Sequence, residues 1–574
     1  VSVKGKIVIA KYGGSWRGIK PKVAAEHGAI GCIIYSDPAD DGYGRGDTYP
    51  EGAFRPKDGV QRGSVMDMPV YPGDPLTPDV GATKDAKRLD RKDVTTIMKI
   101  PVLPISYEDA LPLLQSLKGQ VVPDGWGGGL PITYHVGPSV DKVHLNLAFN
   151  WDIKPLYDVI AKIPGTDFPD EWVIRGNHHD GWVNGAADPL SGMVAELDEA
   201  KAIGELVKNG MKLKRTLVYC AWDGEEPALL GSTEWTEDHQ KELLQKAVAY
   251  VNTDGNSRGF IGAGGSHIFE PFFNEIADAV IDPQTGVTIK ERRYARAVVD
   301  APAAARAKLI ASKDIKLGAL GAGSDWGGFL QHLGIPSIDL GFGGEGSGGE
   351  YHSIYDSYDL FTKFKDPGFK YGVALSQTAG RTMLRLANAE VLPVDFNSFY
   401  KTVNGYVDEL KKLVDEERAD EEMQQMMLKE KLYDLAKDPT KQLDAPKDKG
   451  AVPYLDFSRL ENAMAALKTA SEEFKQLYPK AIGLAGDKKN RLNEILYTAE
   501  QSLLQEKGLP RREWYRHQIY APGFYTGYGV KTIPGIREAI EERFWQEAQE
   551  NIYIVAETIN KYTAKVNAAN AMLK

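Results

Sequence analysis

Short apolar runs alternate with helical periodicity through the middle of the chain. Trp172 to Arg175, Thr216 to Ala221, Ala247 to Asn252 and Ile335 to Leu340 read as strands, and Met193 to Lys208 between the first two reads as a helix. This alternation predicts an α/β domain around a mixed, mostly parallel sheet, in which ligands bind beyond the carboxyl ends of the strands. Val143 to Asn150 alternates strictly, which predicts a half-buried strand with His144 on its polar face as a structural residue. Upstream, Ile7 to Lys11 and Ala29 to Tyr35 read as strands flanking a short helix over Lys20 to His27. Turn signals then fill Ser36 to Pro78, so this part reads as a small α/β lid. After about residue 391 the pattern becomes long, charged and amphipathic. Phe399 to Lys437, Phe457 to Leu477, Lys489 to Gln505 and Ile536 to Lys565 read as helices, with breaks at Asp438-Pro439 and Ala445-Pro446. Three domains follow: residues 1–138, 139–390 and 391–574.

Composition narrows the function classes. The 574 residues are 42% hydrophobic and 26% charged, ordinary for a globular protein and too many for one core. The net charge of −11 with no long basic run makes nucleic acid an unsuitable partner, and no apolar run reaches the roughly 18 to 20 residues of a membrane span. The two cysteines, Cys32 and Cys220, both sit in apolar strand-like runs and read as buried free thiols, so any metal must rest on histidines and carboxylates. The chain opens directly into a strand without an initiator methionine, which suggests that its first residue is not the gene's own start.

The candidate chemistry lies past the strand ends. The strand Glu171 to Ile174 breaks at Gly176 and Asn177 and exposes His178, Asp180 and Asp188 in the following loop. Thr216 to Ala221 runs into Trp222-Asp223-Gly224-Glu225-Glu226, Ala249 to Asn252 runs into Asp254, and the glycine-rich Gly341 to Gly349 precedes Tyr351-His352. Neighbouring carboxylates repel unless a cation offsets them. If Glu226 binds a metal, Glu225 is free to take a proton from water. Each feature alone also reads as a cap, a solvated acidic loop or a surface histidine. Four of them in one α/β domain are harder to dismiss.

In this order, His178, Asp188, Glu225-Glu226, Asp254 and His352 resemble the co-catalytic two-zinc exopeptidases of family M28. The similarity is strongest to the glutamate carboxypeptidase (prostate-specific membrane antigen) branch, which shares its architecture with the transferrin receptor. The phrases that carry it span the chain, among them Gly5-Lys6-Ile7-Val8-Ile9-Ala10, Gly73-Asp74-Pro75-Leu76-Thr77-Pro78, Leu230-Gly231-Ser232-Thr233-Glu234-Trp235 and Tyr515-Arg516-His517-Gln518-Ile519-Tyr520-Ala521-Pro522. The resemblance implies a protease-associated first domain, a di-zinc peptidase domain and a helical dimerisation domain. It implies two Zn2+ per chain, with Asp188 as the bridge, His178 and Asp254 completing one site, and Glu226 and His352 the other. Glu225 would be the general base, Asp180 would orient His178, and Tyr351 would hydrogen-bond the oxyanion. It gives His179 no role.

For the substrate, the resemblance implies that Arg17, Tyr351 and Tyr528 hold a terminal α-carboxylate. The lysine that reads a glutamate side chain falls on Gly527. The arginines that read an acidic penultimate residue fall on Gly264, Asp339 and Gly341, and a neighbouring asparagine falls on Ser324. The expectation is a carboxypeptidase for a non-acidic terminal residue; the alternatives are an aminopeptidase of the same fold and a non-enzymatic receptor. Glu234 and Glu237, with backbone oxygens of Thr77 and Val80, match a structural Ca2+ site, or else form an acidic helix start. The resemblance further implies a homodimer through the helical domain, a periplasmic or secreted location, and a segment preceding Val1 that supplies part of the first and peptidase domains.

Overall fold

The computed structural model describes residues 2–123, 125–437 and 445–574; the predicted break at Asp438-Pro439 lies outside them. The first domain holds a parallel sheet of β1 (Ile7–Lys11), β2 (Gly31–Tyr35) and β3 (Val102–Ile105), in that order, with the helix Ile19–Glu26 between the first two strands. Every residue of β2 is buried, as expected of a central strand written as an unbroken apolar run. Cys32 and Cys220 are both buried and free.

The second domain is built on six strands. These are β4 (Val159–Ile163), β5 (Phe168–His178), β6 (Arg215–Trp222), β7 (Ala247–Asn252), β8 (Gly259–Gly265) and β9 (Ser337–Gly344), ordered β4-β6-β5-β7-β9-β8. The four inner strands pair in parallel, and β4 and β8 close the edges antiparallel. From β5 the chain passes through the helix Leu190–Lys208 to β6 on one side of β5, and then to β7 on the other. That reversal opens a crevice at the carboxyl ends of β5, β6 and β7.

Under the sheet, Arg175 of β5 is fully buried and meets two acids of the helix Leu190–Lys208. Its Nε lies 3.2 Å from Glu199 Oε2 and its Nη1 3.2 Å from Glu196 Oε2. It also donates to Thr253 Oγ1 at 2.7 Å, tying β5 to the end of β7. Burial pushes the Glu196 carboxyl up to about 8 despite the guanidinium beside it.

In the third domain Phe396–Lys429, Ser458–Leu477 and Trp545–Leu573 form the helical frame. It also carries an antiparallel pair, β10 (Tyr520–Gly523) and β11 (Gly527–Thr532), which the helical reading missed.

Several expectations need correction. Strand β5 does not break at Gly176 but continues to His178, because both its edges are still paired there: Gly176 faces Cys220 on one side and Asn252 on the other. The stretch Val143 to Asn150 forms no strand. Leu145 and Leu147 are half-buried and their neighbours, His144 included, are exposed, with no ladder to hold the alternation. The run Ile536 to Lys565 is two helices, Pro534–Glu541 and Trp545–Leu573, divided where Arg543 takes a φ of +60°. The helix from Gly486 ends at Tyr497 rather than Gln505.

Replacing Arg175 by leucine leaves two carboxyl groups buried without a cation. R175L is expected to cost about 3–5 kcal/mol, read as a lower denaturant midpoint of the second domain; an unchanged midpoint would contradict this account of the core.

Candidate metal centre

Three strand ends and two loops, one of them the β5–helix loop that carries Asp188, deliver the predicted ligands to one place. His178 ends β5, Glu225 and Glu226 open the turn after β6, Asp254 follows β7, and His352 comes from the loop after β9. Ligand atoms of His178, Asp188 and Asp254 lie within 4.8 Å of one another, and so do those of Asp188, Glu226 and His352. Asp188 belongs to both sets. Its Oδ1 is 3.4 Å from His178 Nε2 and its Oδ2 is 3.4 Å from His352 Nε2. Asp254 Oδ1 lies 3.1 Å from His178 Nε2, and Glu226 Oε2 lies 2.9 Å from His352 Nε2. Glu225 Oε2 approaches His178 Nε2 at 4.0 Å without belonging to either set.

The supporting contacts refine the expected roles. The main-chain oxygen of Asp180 lies closer to His178 Nδ1, at 3.0 Å, than its carboxylate does, at 3.4 Å. The Asp180 carboxylate accepts instead from the backbone N–H groups of Glu225 (3.0 Å) and Glu226 (3.2 Å), fixing the turn that carries both glutamates. Asp356, which the sequence did not single out, does the same for the bridging residue: it accepts from the N–H of Ala187 at 2.6 Å and of Asp188 at 3.1 Å. Trp182 donates its N–H to Glu226 Oε1 at 2.6 Å and stacks on His352 with ring centroids 5.8 Å apart.

Charge is unbalanced here. Within ion-pair distance, Asp188, Asp254, Glu225 and Glu226 meet only imidazoles among the described residues. Burial opposes a charge on His178, but Asp254 and Glu225 outweigh it and hold the ring's pKa well above its ordinary value. Burial likewise pushes the Glu225 carboxyl far up. Buried Asp325, held by Ser232 Oγ at 2.5 Å, adds to that repulsion and is itself raised to about 7 by burial. A cluster of nitrogen and oxygen donors with surplus negative charge is the donor chemistry of a divalent metal such as zinc.

Beside the cluster lies a cavity of about 430 Å³ lined by Tyr12, Trp16, Arg17, Gln61, Tyr351 and Tyr528, among others. Arg17 is 5% exposed and donates from Nε to Ser64 O at 2.8 Å. Burial acts against its charge, and the groups facing it are the phenols of Tyr528, Tyr351 and Tyr12, with no carboxylate within ion-pair distance among the described residues. Gly527 has a φ of +71°, and a Cβ there would lie 2.3 Å from Trp16 Cβ, so the indole occupies the path of any side chain. Ser324 and Asp339 share one donor: Asn252 Nδ2 reaches Ser324 Oγ at 3.1 Å and Asp339 Oδ1 at 2.9 Å. Gly264 is closed by Leu320, whose Cδ2 would stand 2.6 Å from a Cβ.

Glu234 and Glu237 meet at the junction of the first domain with the other two. Glu234 accepts from the N–H groups of Asp74 (2.5 Å) and Ala82 (2.6 Å), and Glu237 from Trp514 Nε1 (2.8 Å) and Tyr71 (3.2 Å). Thr77 donates its hydroxyl to Glu234 at 3.4 Å; its carbonyl accepts from the Tyr71 hydroxyl and from the N–H of Val80. Burial raises Glu234 to about 8, and burial with repulsion from Glu234 raises Glu237 to about 9.

Comparison with known proteins agrees with this architecture. Family models match as a PA domain over residues 1–67, peptidase family M28 over 158–365, and a transferrin receptor-like dimerisation domain over 455–567. A "Probable glutamate carboxypeptidase" of Arthroderma benhamiae is 36% identical over 97% of this chain and 73% of its own length. "Probable glutamate carboxypeptidase LAMP1" of Arabidopsis thaliana is 34% identical over 95% of this chain and 72% of its own. "Aminopeptidase NAALADL1" of Rattus norvegicus is 29% identical over 94% and 70%. The chain belongs to peptidase family M28, in the branch that joins a PA domain and a transferrin receptor-like dimerisation domain to the peptidase, and is a zinc metallopeptidase, a hydrolase.

The Trp16–Gly527 contact gives a direct test of the cavity wall. Gly527→Ala is expected to cost about 1–3 kcal/mol through overpacking, seen as a lower melting temperature. Gly527→Lys is expected to destabilise at least as much without conferring a preference for terminal glutamate in dipeptide assays.

Proposed function

We propose that this enzyme is a carboxypeptidase that releases a single non-acidic residue from the C-terminus of peptides. The observation that carries the reading is Arg17: a buried cation that, among the described residues, faces phenols but no carboxylate, in a cavity that shares Tyr351 with the loop bearing His352. A peptide's terminal carboxylate satisfies that cation, with Tyr528 and Tyr351 offering hydroxyls. Gly527, Gly264, Asp339, Gly341 and Ser324 supply no cation for an acidic side chain, which supports neutral or apolar terminal residues.

The metal centre in this reading holds two Zn2+: His178, Asp188 and Asp254 bind one, and Asp188, Glu226 and His352 bind the other. What the metal supplies when bound is Lewis acidity toward a water and toward the scissile carbonyl. Glu225 takes the water's proton and passes it to the departing amine, Tyr351 donates to the developing oxyanion, and Asp180 holds His178 and the glutamate turn in place. A second reading, an aminopeptidase, is favoured by the name of the rat relative. Arg17 argues against it, since it would repel a substrate ammonium. The same proposal takes residues 1–138, 139–390 and 391–574 as the three domains, the last as the surface of a homodimer, and a periplasmic or secreted location. No helix among the described residues is long and apolar enough to cross a membrane.

Peptides blocked at either end separate the readings. Loss of one C-terminal residue from N-blocked peptides, abolished by a strong chelator, is expected; cleavage only of C-blocked peptides would overturn the carboxypeptidase. E225Q is expected to keep its metal and lose about 10²–10⁴ in kcat.

Glu234 and Glu237, with Thr77 and Val80 nearby, are proposed to hold Ca2+. In its absence the folded protein binds more protons than the unfolded chain between pH about 4.5 and about 9, so stability falls as pH rises through that window. Calcium binds the ionised carboxylates, so the melting temperature is expected to rise on adding it more at about pH 8.5 than at about pH 5.5. E234Q/E237Q is expected to abolish both effects. An equal rise at both pH values would remove the assignment.

A further inference from the structure

A loop of the first domain, Gln61 to Ser64, lends its backbone to three side chains of the site. The Tyr12 hydroxyl donates to Gln61 O at 2.9 Å, His352 Nδ1 lies 3.1 Å from Arg62 O, and Arg17 Nε donates to Ser64 O at 2.8 Å. Arg62 also works in the other direction, its N–H donating to His352 O at 3.0 Å. This two-way contact matters because His352 has a φ of +52°, a left-handed backbone that a residue with a Cβ seldom adopts unless its surroundings enforce it. With Nδ1 protonated toward Arg62 O, the Nε2 lone pair is left facing Glu226 and Asp188. The same stretch of the peptidase domain is held on either side: Arg55 Nη2 donates to Tyr351 O at 3.2 Å, and Gly349 N–H to Ala53 O at 2.9 Å. Gly63 lies against the Arg17 guanidinium, where a Cβ would come within 2.2 Å of Nε, and its φ is +144°.

We infer that the Gln61–Ser64 loop is a positioning element that sets the ring of His352 and the guanidinium of Arg17 from one short backbone, two residues apart. The His352 half stands on geometry alone; the Arg17 half rests on the carboxypeptidase reading. The peptidase fold supplies every metal-binding side chain but does not by itself fix one of them. The first domain then sets both the orientation of a metal ligand and the separation between the bond-cleaving centre and the carboxylate-binding end.

Two variants test the halves separately. Arg62→Pro removes the N–H that holds His352, whereas Arg62→Ala changes only an exposed side chain. In competition with a chromophoric chelator, R62P is expected to lose about 10- to 100-fold in zinc affinity at one site, and R62A less than about twofold. Wild-type zinc affinity in a folded R62P overturns the proposal, as does an equal loss in R62A. A wild-type chain that binds one ion rather than two counts against the two-ion reading and leaves the comparison of the variants intact. Gly63→Ala puts a methyl group where the Arg17 guanidinium lies and leaves the Arg62 N–H available to His352. The metal-stripped G63A protein is expected to bind an N-acetylated dipeptide at least about tenfold more weakly than wild type while keeping its zinc affinity. Unchanged dipeptide binding overturns the Arg17 half, and absence of binding by the wild type itself counts against the carboxypeptidase reading. Should R62P fail to fold, a backbone ester in place of the Gln61–Arg62 amide, which removes only that N–H, is measured instead: the same loss of zinc affinity is expected, and wild-type affinity overturns the His352 half.

Discussion

Negative charge is what this molecule has to accommodate. Asp188, Asp254, Glu225 and Glu226 converge on one crevice with only His178 and His352 as possible counter-charges within ion-pair distance among the described residues. Two like charges about 4 Å apart repel by about 4 kcal/mol at the effective dielectric near a protein surface. A flexible scaffold would relax by letting the carboxylates drift apart. Here β5, β6 and β7 are locked in a parallel ladder whose residues are almost all buried, and the acids leave from the ends of those strands. Further carboxylates are spent on holding the loops: Asp180 fixes the glutamate turn and Asp356 fixes the approach to Asp188. Binding of divalent metal relieves the strain that the fold maintains.

The site also has a second pole. Tyr351 and His352 are adjacent in the chain, with their rings 3.8 Å apart; His352 belongs to the acidic cluster while Tyr351 lines the cavity of Arg17. A field that is negative until metal binds and positive at one end orients any substrate that carries a charge. In the proposed carboxypeptidase, a terminal carboxylate would be drawn toward Arg17 and the preceding carbonyl carried to the side of the metal ligands.

How far the sequence disclosed this depends on what kind of group does the work. Ala247 to Asn252 and Ile7 to Lys11 are strands to the residue, because apolar runs of that length have nowhere to go but a sheet. Val143 to Asn150 misled because alternation reports which face is to be buried, and says nothing of whether a neighbouring strand exists to pair with. The hairpin β10–β11 was hidden because Pro522, Gly523, Gly527 and Gly529 interrupt any hydrophobic period, and Tyr528 came into view only through resemblance. Side chains that hold metal announce themselves by residue type after a strand end. The groups that aim them do not: the carbonyls of Asp180 and Arg62 look like every other carbonyl until the fold brings them to His178 and His352.

The cavity beside Arg17 is shaped by volume as well as charge. A position that resembles a glutamate-reading lysine is a glycine with φ +71°, and the space its side chain would cross is filled by Trp16, itself 3% exposed and stacked at a tilt on Tyr528 with centroids 5.8 Å apart. Neither residue can change alone. A lysine at 527 meets the indole, and a smaller residue at 16 leaves a void beside the Arg17 guanidinium, which also lies 5.9 Å over the Trp16 ring. The two positions sit in different domains, 511 residues apart in sequence, so the wall of the pocket is itself part of what holds the first domain to the third. A change in the shape of this cavity wall therefore has to pass through a change in how the domains pack.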